Sequence, residues 1–174
     1  CYPNNLYDAE GDAIGQTFSW YKNNVSYSVL NMPFNTNISS VTTGAVKDYS
    51  GYNNNGTLGN GDATRAPVWT PNGISGGAYV FDGINDVVNI TNTASLNISS
   101  PMTMEAWYKL DGFGADWYDI IWKGSFASAN YMLFTGAYPA GRSMVGIEIG
   151  NAYWEPAMPN NLETGRWYYL AATY

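Results

Sequence analysis

A chain of 174 residues with a formal net charge of −7, only seven Lys and Arg, and no histidine has room for one domain with its own core and some additional structure. So few cations leave nothing to neutralise a run of phosphates, which argues against nucleic acid and anionic membrane surfaces as partners. The missing imidazole removes His-based serine triads, most zinc sites and the usual near-neutral general base.

Charged residues make up 12% of the chain and aromatics 16%, beside 19 glycines and 20 asparagines. That balance belongs to a rigid, turn-rich β-protein whose surface is made polar by Asn, Ser and Thr more than by charge. No hydrophobic run reaches the roughly 18 residues of a membrane-spanning helix. The single cysteine, Cys1, has no partner within the chain. Lipidation of Cys1 and a bridge to an upstream cysteine are alternatives to its simply opening the segment. Five Asn-X-Ser/Thr sequons, at Asn24, Asn37, Asn55, Asn89 and Asn97, fit an exported protein whose N-linked glycans stand on surface loops.

In chain order, residues 1–34 carry an acidic, glycine-bearing loop (Asp8, Glu10, Asp12), a β-branched and aromatic run over 17–21, and the turn-prone Lys22-Asn23-Asn24. One or two strands are expected there, too few to bury a core alone. "DAEGD" followed by "FSWYKNN" resembles the back half of an immunoglobulin-like module of the kind found along prokaryotic surface proteins.

From residue 35 short apolar runs alternate with Gly, Asn and Pro every eight to twelve residues, which is sandwich texture. Strands are expected at 66–70, 77–83, 86–90, 102–110, 119–125, 131–136, 143–150 and 166–174, with helix content near zero. In "MTMEAWYKL" Met102, Met104, Ala106 and Tyr108 share one face, and Thr103, Glu105, Trp107 and Lys109 share the other. A tryptophan on the nominally polar face means that the strand is packed on both sides or lies in a binding face.

The ordered series "VKDYSGYNNNGTL", "PVWT", "GGAYVFDGINDVVNI", "SLNISSPMTMEAWYKLD", "IIWKGS" and "LETGRWYYLAATY" resembles the laminin G-like domains of the concanavalin A-like lectin and glucanase superfamily. The resemblance runs from Val46 to the last residue. It implies an all-β, antiparallel two-sheet jelly roll over 35–174, preceded by an immunoglobulin-like β segment or linker over 1–34. Because relatives continue beyond "AATY" with further strands, the resemblance also implies a jelly roll incomplete at its C-terminal end, or one completed by a neighbouring copy. It selects no ligand, since this fold hosts lectins, adhesion modules, glucanases and scaffolds alike.

Three chemistries compete for the loops. Asp48 and Asn53, with Ser50 and Asn55, and a second acidic turn of Asp82, Asn85 and Asp86, offer oxygen ligands of the kind calcium takes. The same residue types also cap their own backbone in ordinary turns. Sugar binding uses aromatic faces beside hydrogen-bonding groups. The candidates are Trp117, Tyr118, Tyr138, Tyr153 and Trp154, among Asp116, Asp119, Asn151 and Glu155. Hydrolysis by a retaining glycosidase requires two carboxyl groups about 5 Å apart. The strand acids Glu105, Asp119 and Glu148 have no second acid two residues away, so no catalytic residues are expected. The expected function is therefore non-catalytic adhesion to glycan or protein at an extracellular cell surface. The alternative is a glycosylated filament subunit assembled into a homopolymer by strand exchange at an open sheet edge.

Overall fold

A computed structural model describes residues 20–99, 101–113, 117–125, 128–137, 143–149, 152–154 and 162–173. The described chain is all-β and antiparallel, as expected, and its only helical turns are three 3-10 turns. It divides into two compact units, Cys1–Asn97 and Ile98–Tyr174.

In the first unit, β1 (Tyr21–Lys22) and β2 (Val25–Ser26) form a hairpin. Its two connecting residues, Asn23 and Asn24, have φ of 50° and 64°. This is the left-handed turn that matches strand twist, and asparagine tolerates it. β3 (Gly56–Leu58) pairs with β6 (Val88–Ile90), and β4 (Val68–Thr70) pairs with β5 (Ala78–Val80). The core is Val46, Leu58 and Tyr79, with Met32, Phe34, Trp69 and Val88 packed against it. Phe34 meets Tyr79 edge-on with ring centroids 5.1 Å apart, and the Trp69 indole N–H donates to the Phe34 carbonyl at 2.9 Å. Met32 and Phe34, which precede the boundary expected at 34/35, thus pack against residues that follow it.

The second unit holds β7 (Thr103–Lys109), β8 (Trp117–Ser125), β9 (Ser128–Ala137), β10 (Ser143–Ile149), β11 (Ala152–Trp154) and β12 (Trp167–Thr173). The sheet orders are β11-β10-β9-β8 and β12-β7. The apolar face of β7, led by Met104, meets Tyr131 and Leu133 of β9, with Ile121, Leu170 and Ala172 around them. The two sheets thus close on a shared core. Leu133 and Phe134 are neighbours that point to opposite faces, and both are fully buried, so β9 is covered on its two sides as a central strand must be. Each such side chain contributes about 1.5–3 kcal/mol of burial free energy.

Candidate functional site

Asp48 is 1% exposed. One carboxylate oxygen accepts the backbone N–H groups of Asn31 (2.9 Å) and Ser50 (2.8 Å). The other accepts the Asn54 N–H (2.8 Å) and the Ser50 hydroxyl (2.6 Å). A buried charge is tolerable only when its acceptor sites are filled in this way. The Asp48 N–H in turn donates to Asn55 Oδ1 at 2.9 Å. Asn53 is exposed with φ of 56° and makes the turn. Its neighbour Asn54, which sequence reasoning did not separate from the triplet, is the buried one. The Asn54 NH2 donates to the Val29 carbonyl (2.6 Å) and Ser95 Oγ (3.0 Å), and its Oδ1 accepts from Thr93 Oγ1 (2.7 Å).

Asp82 and Asp86 do come together, in an exposed turn. Asp86 Oδ2 accepts the Asp82 N–H (2.9 Å), and Asp82 Oδ1 accepts the N–H groups of Ile84 (2.8 Å) and Asn85 (3.3 Å). The Ile84 N–H is the main cause that holds the Asp82 carboxyl below the usual carboxylate range. Calcium needs six to eight converging oxygens. Among the described residues no group of three acidic or cysteine side chains comes together. Asp48 already spends its oxygens on the fold and does not fit such a cage.

The aromatic set chosen from sequence is dispersed. Trp117 and Tyr118 open β8, two residues earlier than that strand was expected to begin, and Trp154 ends β11. β8 and β11 are the opposite edges of the four-stranded sheet, three strand spacings of about 4.8 Å apart. Tyr153 lies on β11 beside Trp154. Tyr138, Asp116, Asn151 and Glu155 fall outside the described residues, as do Cys1, Asp8, Glu10 and Asp12. Among the sequons, Asn24, Asn37 and Asn97 are exposed, whereas Asn55 and Asn89 are half-buried. Asn55 also has its side-chain oxygen on the Asp48 N–H.

The polar face of β7 resolves differently. Its register with β12 sets Thr103 opposite Thr173, Trp107 opposite Tyr169, and Lys109 opposite Trp167. Trp107 and Tyr169 are each 51% exposed, with ring centroids 5.1 Å apart and planes at 47°. The Tyr169 hydroxyl donates to the Glu105 carboxylate, and that bond is the first cause pushing the tyrosine's pKa up. Lys109 Nζ lies 5.8 Å from the Trp167 ring centre and 3.4 Å from Asp111. The two threonine hydroxyls are 3.0 Å apart. The result is a ladder of cross-strand pairs with an aromatic middle and hydrogen-bonding ends. On the opposite face Tyr108 is held against the core, where burial raises its pKa while a hydrogen bond from Thr135 opposes the rise. Sequence reasoning flagged Trp107 but missed Trp167 and Tyr169. The alternation in "RWYYLAATY" that places those two on one face was the available signal.

Against known proteins, no curated protein and no solved structure matches the chain. A laminin G family profile, described as the concanavalin A-like lectin/glucanases superfamily, matches residues 82–174. That span is more than half of the chain and includes every strand of the ladder-bearing sandwich, so the chain belongs to the concanavalin A-like lectin/glucanases superfamily.

Proposed function

We propose that this chain is a non-catalytic, extracellular binding module that takes carbohydrate on the exposed face of β7 and β12. The single observation that carries the reading is the half-exposed Trp107–Tyr169 pair with the Glu105 carboxylate beside it. Tilted aromatic faces offer the flat apolar surface on which a sugar's C–H face rests. Carboxylate, hydroxyl and ammonium groups at either end supply the hydrogen bonds that orient it. The register partner of Glu105 is Ala171, so no second carboxyl group stands opposite it as retaining hydrolysis would need. A family in which lectins and other recognition modules share one fold agrees with a binding role.

A glycan array probed with the full chain tests this reading, with Trp107→Ala and Tyr169→Ala as comparators. Binding to at least one glycan, weakened about tenfold or more in either variant, is the expected result, because such aromatic contacts contribute on the order of 1–2 kcal/mol or more. Binding that survives both substitutions would place the site elsewhere. If protein ligands are captured on the same face while every glycan fails, the ligand class proposed here is wrong.

A further inference from the structure

We propose a second carbohydrate-binding face in the first unit, on the exposed side of the β1–β2 hairpin, built from Trp20, Lys22, Val25 and Tyr27. The tripeptide Trp-Tyr-Lys occurs twice in the chain, at 20–22 and at 107–109, and strand pairing gives both copies the same surroundings. In β7 the tryptophan stands opposite Tyr169 and the lysine opposite Trp167. In the hairpin Lys22 stands opposite Val25 and Tyr21 opposite Ser26. The Trp20 carbonyl accepts the Tyr27 N–H at 2.8 Å, which continues that register and sets Trp20 opposite Tyr27. Both copies therefore present a cross-strand Trp–Tyr pair with a lysine two residues along the same face.

The hairpin's two sides differ. Trp20, Val25 and Tyr27 are 60%, 57% and 67% exposed, and Lys22 is exposed with them. On the other side Ser26 is buried, with its hydroxyl donating to the Ser28 carbonyl at 2.8 Å. A Cβ at Gly51 would stand 3.4 Å from Ser26 Cβ and 3.6 Å from Tyr21 Cε1. The hairpin is thus seated on the loop that Asp48 ties together, and its aromatic side is held out on a fixed support. Opposite residues of a strand pair have Cβ atoms about 5 Å apart, so the two rings form one short apolar strip. The Lys22 ammonium adds donors for hydroxyl oxygens. Size separates the possible ligands. Four side chains on a ribbon with strands about 4.8 Å apart fall far short of the roughly 800 Å2 per partner of a stable protein interface, whereas a short stretch of sugar chain needs no more. The ligand class rests on the reading of the β7–β12 face. The hairpin shares no residue with that face and lies outside the 82–174 family match. Two such sites raise retention on a surface of repeated glycan, because a second contact forms at the effective concentration set by the first.

The full chain is titrated with cellohexaose and, separately, with chitohexaose, β-linked chains with flat C–H faces, while the tryptophan indole N–H signals are followed by NMR. Trp20→Phe and Trp107→Phe assign the two signals of interest. The Trp20 signal should move saturably with at least one of these sugars, with a dissociation constant on the order of a millimolar. Tyr27→Ala, checked for an unchanged unfolding midpoint, should weaken the Trp20 response about tenfold and leave the Trp107 response as it was. Tyr27→Phe, which keeps the ring, should retain binding, and Trp107→Ala should not alter the Trp20 response. The proposal is overturned if neither sugar moves the Trp20 signal by tens of millimolar, if Tyr27→Ala has no effect on it, or if Trp107→Ala abolishes it. A Trp20 signal that shifts on dilution would give the face to a second copy of the chain. One that shifts when N-glycans are removed enzymatically from the native chain would give it to the chain's own glycan at Asn24. Either result overturns the proposal. A response at Trp107 alone sinks the hairpin site and leaves the β7–β12 reading standing, and a response at Trp20 alone does the reverse.

Discussion

Asp48 shows what a single side chain does for the first unit. Its four donors come from residues 31, 50 and 54, so one carboxylate ties three stretches of loop together. Asp48→Asn exchanges an acceptor oxygen for an NH2 that faces donors, and is expected to cost about 2–4 kcal/mol. Urea unfolding of wild type and variant checks this, and a loss within experimental error would contradict it. Tyr169 supports a prediction in pH. Its hydrogen bond to Glu105 raises its pKa in the folded state, so the folded chain holds that proton more tightly than the unfolded one. The stabilisation is complete below the unfolded tyrosine value near 10 and is lost as pH rises through the folded value. Glu105→Gln should bring the Tyr169 titration back toward the ordinary value, as read from its ring-carbon NMR shift at alkaline pH. Sequence alone identified Asp48 as a turn residue but not its burial, because two of its three partner residues, 31 and 54, lie outside the immediate turn.

Among the elements, β9 is the most demanding. Leu133 and Phe134 are both fully buried, on opposite faces of one strand, so neither can be truncated without leaving a void. Leu133→Ala is expected to lower stability by about 3–5 kcal/mol, measured by thermal or denaturant unfolding with far-UV circular dichroism retained below the transition. The alternation of apolar residues made β7, β9, β10 and β12 legible to within a few residues. Strands of the first unit were legible only in part. β4, β5 and β6 are three residues each, shorter than the runs that announce them. β3 was missed altogether inside "NNNGTL". Its position is set by pairing with β6 and by the bridge from Val46 to Gly56. At Gly56 an added Cβ would stand 2.7 Å from Val88 Cγ1, so a residue that reads locally as a turn glycine is needed for close strand approach.

At the scale of the whole molecule, two predictions follow from charge and from the acidic turns. A net charge of −7 with seven cations means that no shift of duplex DNA should be seen at physiological salt. Chelator should leave the unfolding midpoint unmoved, since a cation held only by the native state would have to raise it, and Asp48 does not fit a cation cage. A fall in the midpoint would show that the native chain holds a cation, and Asp82→Asn would test whether the Asp82–Asp86 turn is its seat.

Composition and strand periodicity were sufficient by themselves for an all-β antiparallel fold, because these signals are local and repeat along the chain, and the resemblance of the ordered motifs from Val46 onward to laminin G-like domains pointed to the superfamily. They also marked Trp107 as a residue out of place on a polar face. Only the tertiary structure decided which aromatics meet. Register brings Tyr169 beside Trp107 across 62 positions of sequence, and sheet order sends Trp117 and Trp154 to opposite edges. Strand pairing and burial are long-range properties, so the same Asp or Trp reads alike in sequence whether it is sealed in a hydrogen-bonded core or presented to a ligand.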